Sequence, residues 1–342
     1  PQEVDDIFVI FRQMATDGHA LIFISHKLHE ILALTDRVTV LRDGRAIGTR
    51  QTREVSKRDL ANMMVGREVS LERQRVPRPA GPVRLRVENV TAVNEDGKPV
   101  LRNINLELCS GEILGVAGVS GNGQRPLARA IAGLSPIVEG HIYLDGKDVT
   151  GSSPAEMFNA GLGYIPEERM HDGVIKDFSV AENAMLQDHN RAPFSNGFFL
   201  NFKAVADHAD ELIRNYRVKT PSRDTPVKSL SGGNIQKLIL ARELARQPHL
   251  LIAAQPTRGV DIGATEYIHN QLLGQRDAGL ATLLISEDLD EIKALSDRIV
   301  VLFGGEIMGI VRNEDVTIEE LGLMMAGERH ASADVAPEAA PS

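Results

Sequence analysis

Short apolar runs alternate with helix-like segments along most of this chain. Residues 112–118 form a nearly continuous apolar run of the kind that makes a buried strand, and helical spacing follows it directly. Two strand patterns, at 83–90 and 100–108, come before this run, and further strands alternate with helices up to about residue 330. This alternation predicts an α/β fold around a parallel sheet.

An internal repeat is the clearest sign of domain organisation. Residues 21–45 and 282–306 share 12 identities without a gap, at a spacing of 261 residues. The same spacing aligns Gly48 with Gly309, and the pair Met63-Met64 with Met324-Met325. We expect the chain to hold the C-terminal end of one domain and the whole of a similar one.

The repeat and local composition predict the domain boundaries. Residues 20–25 and 37–42 are predicted strands of the first domain, and Asp43-Gly44 a turn. Because the chain starts at Pro1 with a helix-like stretch, we expect it to belong to something longer. The predicted parts are a remnant of the first domain (1–72), an Arg-, Pro- and Gly-rich linker (73–82), a complete second domain (83–330) and a disordered tail rich in Ala, Pro and Ser (331–342).

Composition excludes several classes of protein. Of the 342 residues 42% are hydrophobic and 25% charged, as in globular domains with a real core. The net charge of -9 gives no general attraction to nucleic acid. The single cysteine excludes an internal disulfide and fits a reducing compartment. No apolar run approaches the roughly 20 residues that a membrane-spanning helix needs.

A glycine-rich loop follows the buried strand and opens a helix. Strand, glycine loop and helix are the context of a phosphate-binding P-loop, in which backbone N–H groups and the helix N-terminus face the phosphates. Gln124 and Arg125 occupy the positions of the usual Lys and Ser/Thr. Read alone, the loop could equally be a tight turn without a ligand. The candidate nucleotide-binding residues are Gly118, Ser120, Gly121, Asn122, Gly123, Gln124 and Arg125.

A second motif changes this interpretation. Leu230-Ser231-Gly232-Gly233-Asn234 precedes a helix, and a buried strand then ends in Pro256-Thr257-Arg258-Gly259-Val260-Asp261. Together these segments resemble the signature motif, Walker B strand and D-loop of ABC ATPases. The resemblance covers essentially the whole chain. It implies a P-loop NTPase fold: a mixed sheet with antiparallel N-terminal strands, a RecA-like core and a helical subdomain at about 174–229.

The resemblance also implies roles for the signature loop. In this family each ATP lies between the P-loop of one cassette and the signature of another. Ser231, Gly232, Gly233 and Asn234 would therefore bind a nucleotide held by the partner cassette. The plainer alternative, Ser231 as a simple helix N-cap, explains the serine and leaves the two glycines without a reason.

Several positions depart from the family pattern. Ala254 replaces the Walker B Asp that supports Mg²⁺, and Gln255 replaces the catalytic Glu. Glu167 stands at the Q-loop position, Glu287 replaces the switch His, and Asn94 replaces the aromatic residue that stacks on adenine. An amide is no general base near pH 7, and alanine holds no metal water. We expect the chain alone to have little or no ATPase activity, and we assign no metal ligand.

The first-domain remnant keeps the family residue at one position. His26 falls where the switch His of the first cassette would contact the γ-phosphate. The resemblance then implies an asymmetric pair of sites in the full-length protein. ATP hydrolysis with Mg²⁺ would occur where the first cassette meets the Ser231 loop, and cassettes would pair within one chain.

Fused cassettes of this kind resemble the ATPase subunits of bacterial simple-sugar and nucleoside importers. Ala253-Ala254-Gln255 and Gly121-Asn122-Gly123-Gln124 favour the nucleoside or purine branch, with ribose- or galactose-type sugars as the alternative. The resemblance implies integral-membrane permease partners, an extracytoplasmic substrate-binding protein acting indirectly, and a peripheral position on the cytoplasmic face of the inner or plasma membrane.

Other functions are compatible with the same sequence features. A nucleotide-binding pseudo-ATPase that serves only as a scaffold would carry the same substitutions. A soluble ABC ATPase of repair or translation is disfavoured, because its nucleic-acid surface would be basic and this chain is acidic. Phe194, Phe198 and Phe199 could either contact the permease or pack the core of the helical subdomain.

Overall fold

The computed structural model describes residues 2–25, 27–42, 44–68 and 79–330. They form two compact units. The smaller unit contains the described residues before 69 together with Val260–Tyr267. The larger unit contains the described residues of Gln74–Gly259 and Ile268–Ser342. The predicted linker 73–82 and the predicted tail 331–342 lie wholly or mostly outside the described residues, as do Asp43 and His26.

The smaller unit is built around one antiparallel hairpin. Its own elements are α1 (Gln2–Thr16), α2 (Leu28–Leu34), β1 (Arg37–Arg42), β2 (Arg45–Gln51) and α3 (Lys57–Val65). Helix α3 begins at a capping box in which Ser56 and Asp59 bond each other's backbone amides, and it ends at Gly66 with φ of 83°. Leu28, Ile31, Val40, Leu60 and Ala61 form its small buried core.

The larger unit contains two sheets. Its strands are β3 (Val83–Val93), β4 (Pro99–Cys109), β5 (Ile113–Ala117), β6 (Glu139–Leu144), β7 (Lys147–Asp148), β8 (Leu162–Ile165), β9 (Leu250–Ala254), β10 (Ala281–Ile285), β11 (Arg298–Phe303) and β12 (Glu306–Arg312). One sheet, in the order β4-β3-β6-β7, is antiparallel throughout. The other, β12-β11-β5-β10-β9-β8, is parallel except for β12. The predicted mixed α/β architecture with antiparallel N-terminal strands is confirmed.

The other described helices lie between these strands or after the last of them. They are α4 (Gln124–Ile131), α5 (Pro154–Asn159), α6 (Val180–Ala184), α7 (Phe202–Asn215), α8 (Gly232–Ala245), α9 (Ile262–Asp277), α10 (Leu289–Leu295) and α11 (Ile318–Met325), with a π-turn at Arg169–Gly173. One apolar core joins both sheets of the larger unit, from Leu85 and Leu108 to Leu114, Leu127 and Ile252. In the described part of the chain, no helix has the length and apolarity to cross a membrane.

The internal repeat is visible as repeated structure. Helix α2 and strands β1 and β2 begin and end 261 residues before α10, β11 and β12. Both hairpins change register at the same place, between Val40 and Leu41 and between Val301 and Leu302. The following helices α3 and α11 both begin with a capping box.

The predicted strand at 20–25 is wrong. Residues 19–25 have no regular secondary structure, and the side chains of Ile22 and Ile24 are 94% and 92% exposed. Their counterpart in the repeat, β10, is fully buried and hydrogen-bonded to a parallel strand on each side. The described part of the smaller unit has only the β1–β2 sheet. An apolar run needs neighbouring strands to complete its backbone hydrogen bonds, so the pattern alone does not make a strand.

Candidate functional site

The strand order places four of the predicted functional positions at one edge of the parallel sheet. Gln124, Glu167, Gln255 and Glu287 lie in or at the end of the loops that follow β5, β8, β9 and β10. These strands are parallel neighbours in the order β5-β10-β9-β8. Ligands of open α/β sheets bind at the carboxyl ends of the strands. The larger unit therefore has its candidate site at this edge.

The glycine-rich loop between β5 and α4 has the close packing of a phosphate-binding turn. A Cβ at Gly118 would lie 2.3 Å from Nε2 of Gln124 and 2.8 Å from the carbonyl oxygen of Leu302. Gly123, with φ of 115°, starts α4 in a conformation that L side chains rarely adopt. The Asn122 side chain accepts from the backbone amide of Gly304 at 2.8 Å and thereby ties the loop to the β11–β12 turn.

The polar side chains of this loop differ from those of an active P-loop. Gln124 is only 7% exposed, and its Nε2 donates to the carbonyl oxygen of Val119 at 3.1 Å. Arg125 is exposed, and its Nη2 lies 3.8 Å from Oδ2 of Asp172. Ser120 and Gly121 are exposed as well. The loop keeps a backbone cradle, but an uncharged amide stands in place of the cation and no hydroxyl follows it.

The strand that ends at Ala254 lacks catalytic carboxylates. Ala254 is buried and offers a methyl group. Gln255 has the left-handed φ of 50°, and its backbone amide donates to the carbonyl oxygen of Ile285 at 2.7 Å. Its side-chain oxygen accepts from the backbone amide of Glu287 at 3.4 Å. The two substituted positions are thus linked to each other.

These residues do not fit a bound Mg²⁺. The Ala254 side chain has no ligand atom, and Arg125 puts a cation where the metal-binding hydroxyl would be needed. Among the described residues there is no cluster of three His, Cys, Asp or Glu that could hold a metal ion. We therefore derive no metal-dependent step at this edge of the sheet.

The Q-loop position is joined to the segment after β9. The carboxylate of Glu167 accepts from Nη1 of Arg258, whose own backbone amide donates to the carbonyl oxygen of Gln255. The glutamate is mostly buried and the arginine is more than half exposed. This ion pair connects the loop after β8 with the turn that begins at Gln255.

The signature loop forms the start of α8. Ser231 stands at the N-cap, but its hydroxyl makes no capping bond to the helix. The hydroxyl instead accepts from Nδ2 of Asn234 at 2.9 Å, and Oδ1 of Asn234 accepts from the backbone amide of Lys219 at 2.9 Å. The simple N-cap explanation of Ser231 is therefore wrong, because the side chain is not used for capping.

One further residue at this site carries no recognisable sequence signal. Arg169 follows Glu167 and Glu168, and its guanidinium donates to the carbonyl oxygens of Arg258 and Gly259. Burial, together with the nearby charge of Arg258, lowers the pKa of Arg169 below its ordinary value. Only its neighbourhood to the Q-loop position could have drawn attention to it.

Two other predicted residues are not among the described residues of the larger unit. Asp261 belongs to the smaller unit, where its Oδ1 accepts from the backbone amide of Ala264 at 2.9 Å in the first turn of α9. His26, the predicted γ-phosphate contact, lies outside the described residues.

Comparison with known families and structures agrees with this geometry. Residues 101–258 match the family model described as ABC transporter. A nucleotide-free ATP-binding cassette from an ABC transporter has a TM-score of 0.59 at 24% identity and covers 71% of this chain and 95% of its own. A cassette solved as a dimer with ADP and phosphate has a TM-score of 0.59 at 22% identity, covering 67% and 98%. The larger unit has the fold of an ABC transporter ATP-binding cassette.

Sequence similarity to known proteins extends over nearly the whole chain and includes the smaller unit. A glucose import ATP-binding protein of Haloferax volcanii is 45% identical over 97% of this chain. A guanosine import ATP-binding protein of Bacillus subtilis is 42% identical and a nucleoside import ATP-binding protein of Lactococcus lactis 41% identical, each over 96% of it. The chain spans 61%, 64% and 65% of these relatives' lengths, respectively.

Proposed function

We propose that this chain is part of the ATPase subunit of an ABC importer with two cassettes fused in one polypeptide. The repeat carries the proposal: α2, β1, β2 and α3 recur 261 residues later as the C-terminal elements of the cassette. We accordingly assign residues 1–72 to the end of a first cassette, 73–82 to a linker and 83–330 to the second. The greater length of the relatives supports this assignment.

In the proposed protein the two ATP sites differ in chemistry. The glycine loop of this cassette would hold ATP weakly through backbone amides and Arg125, without fast hydrolysis. The Ser231 loop would complete the other site, whose P-loop, Walker B carboxylates and Mg²⁺ belong to the first cassette. The exposed Ser231 supports this role, because its hydroxyl does not cap the helix and its proton is available to a γ-phosphate.

His26 and Asp261 are proposed to act beside the competent site. His26 would contact the γ-phosphate, and Asp261 would belong to the D-loop between the cassettes. ATP hydrolysis would then depend on both cassettes, and this chain alone would be weakly active or inactive. The alternative of a pure scaffold predicts that the full-length protein is inactive as well.

We propose that the free energy of ATP hydrolysis is transmitted to integral-membrane permease subunits at the cytoplasmic face of the membrane. An extracytoplasmic substrate-binding protein would act indirectly. Phe198 and Phe199 support the position of this contact. They are 99% and 75% exposed in the helical subdomain, whereas Phe194 is 7% exposed and packs its ring edge-on against His208 at 5.0 Å. Exposed aromatic rings are typical of protein interfaces.

The cargo is proposed to be a nucleoside or purine, because of the residues at 121–124 and 253–255. The guanosine and nucleoside import relatives support this choice. A simple sugar is the second candidate, and it is favoured by the 45% identity to the glucose import protein.

Deletion of the gene tests this function. Uptake of radiolabelled guanosine should fall to background and return with the wild-type gene, while uptake of glucose and ribose should be unchanged. Loss of sugar uptake alone would establish the second candidate. Normal uptake of all three compounds, together with no ATPase activity of the purified full-length protein, would support the scaffold.

A further inference from the structure

Arg169 joins two functional segments of the cassette through one guanidinium group. It lies at the start of the π-turn Arg169–Gly173, two residues after Glu167. Its Nη1 donates to the carbonyl oxygen of Arg258, and its Nη2 donates to that of Gly259 at 3.1 Å. The planar fork of arginine can bridge two adjacent carbonyl oxygens in this way.

The same guanidinium lies against the signature loop. A Cβ built on Gly232 would be 2.7 Å from Nη2 of Arg169 and 3.4 Å from its Cζ. No side chain fits there unless the guanidinium moves. Packing against Arg169 is therefore a second reason for glycine at the start of α8, besides the free approach of a phosphate.

The turn that carries Arg169 is itself anchored on α8. Nη1 of the buried Arg242 donates to the carbonyl oxygen of Gly173 at 2.9 Å. A Cβ on Gly173 would be 2.7 Å from Cδ1 of Ile239, so the turn and the helix are in close contact. Arg169 is thus held near the start of α8, while the other end of its turn is fixed further along the same helix.

The charges of neighbouring side chains also influence the position of Arg169. Arg169 and Arg258 are two cations in close proximity, and Glu167 balances them through its ion pair with Arg258. Removal of Arg169 would leave the carbonyl oxygens of Arg258 and Gly259 without their shared donor.

We propose that Arg169 is a positioning residue that fixes the signature loop, at Gly232, against the segment that follows the catalytic position, at Arg258 and Gly259. The geometry the signature presents to a nucleotide then depends on the segment after β9 in the same cassette. The consequence for ATP turnover rests on the proposed function, whereas the positioning itself does not.

Hydrogen–deuterium exchange of the full-length protein tests the positioning. In Arg169→Ala, amide exchange across residues 231–235 and 258–259 should rise about tenfold, as expected when a charged hydrogen-bond donor is lost. Arg169→Lys should behave alike, because an ammonium group cannot bridge both carbonyl oxygens. Arg214→Ala, an exposed arginine of α7, is the matched control and should leave these amides unchanged. Wild-type exchange in Arg169→Ala would overturn the proposal.

A double-mutant cycle adds a readout that a merely structural role would not give. Gly232→Ala should disturb exchange of the signature loop in the wild-type background and add little in the Arg169→Ala background, because the clashing group has gone. Additive effects would contradict the contact. ATP turnover is measured in parallel: an inactive wild-type protein would refute the proposed function, while the exchange data would still decide the role of Arg169.

Discussion

The backbone amide of Glu287 donates to the side-chain oxygen of Gln255 at 3.4 Å. The sequence resemblance predicts that Glu287 stands at the switch His position of ABC ATPases and Gln255 at the position of the catalytic Glu. An amide cannot take a proton from water near neutral pH, and this one is engaged with its neighbour. The contact supports the proposal that this cassette's own site lacks catalytic chemistry.

Restoring the missing cation of the glycine loop should improve nucleotide binding. Gln124→Lys replaces an amide that donates to Val119 with an ammonium group next to the phosphate cradle. We expect ATP affinity of this cassette to rise about tenfold, from one charge-assisted hydrogen bond. Turnover should not rise, since Ala254 and Gln255 remain. Calorimetric titration with ATP measures the affinity, and Gln124→Met is the control that adds no cation. Equal affinities of the Lys and Met variants would contradict this account of the loop.

The repeat provides a matched pair for stability. Asp297 forms a two-point ion pair with the fully buried Arg276, at 2.6 and 2.8 Å, and accepts from the amide of Ile113. Asp297→Ala removes two charged hydrogen bonds from the buried arginine, which still pairs with Asp277, and should cost about 3 kcal/mol of unfolding free energy. Asp36 is its exposed counterpart in the smaller unit. Asp36→Ala should lower the free energy of unfolding by at most about 0.5 kcal/mol. Urea denaturation compares the two, and similar losses would be inconsistent with this interpretation.

Buried strands show how far the sequence predicts the fold. The apolar runs at β5 and β9 are confirmed, because neighbouring strands of the larger unit complete their hydrogen bonds. The run at 20–25 is similarly apolar and is not a strand, since the described smaller unit has no neighbouring strand for it. The apolar composition of a segment indicates that it can be buried. Whether it forms a strand depends on neighbouring strands that other parts of the chain supply.

Phe194 and Phe199 should separate stability from transport. Phe194→Ala removes a buried ring and should cost about 3–5 kcal/mol of unfolding free energy. Phe199→Ala removes an exposed ring, so we expect an unchanged Tm together with reduced cargo uptake in cells. Thermal denaturation measures the Tm, and cargo uptake by the deletion strain complemented with each variant measures transport. Normal uptake by the Phe199 variant would argue against this docking position.

Asp145 should make stability depend on pH in the acid range. Burial raises the pKa of this carboxyl, but hydrogen bonds from Arg84 and His249 outweigh burial and leave the pKa below its ordinary value. A lowered folded-state pKa stabilises the protein above the unfolded-state pKa and loses this contribution as pH falls through the folded-state value. The Tm difference between wild type and Asp145→Asn should be largest near pH 5 and shrink below about pH 4. A difference that is constant from pH 5 to pH 3 would contradict this.

The sequence motifs predict which segments form the candidate site, but they do not predict the side-chain contacts within it. Gln124, Gln255 and Glu287 follow from their places after buried strands, since strand order fixes the edge at which they lie. Arg169 could not be found in this way. Its contacts with Arg258 and Gly232 depend on how a π-turn packs on α8, which no local pattern encodes.

ATP turnover of two variants of the full-length protein tests the central claim most directly. Ser231→Ala removes a hydroxyl from the signature loop, whereas Gln255→Ala changes the catalytic position of the same cassette. If this cassette serves a nucleotide held by the other, Ser231→Ala should lower kcat by about 100-fold, the usual effect of removing one donor to a transition-state oxygen. Gln255→Ala should leave kcat within about twofold, because no general base is lost. A large loss of kcat in Gln255→Ala with normal turnover in Ser231→Ala would contradict the account.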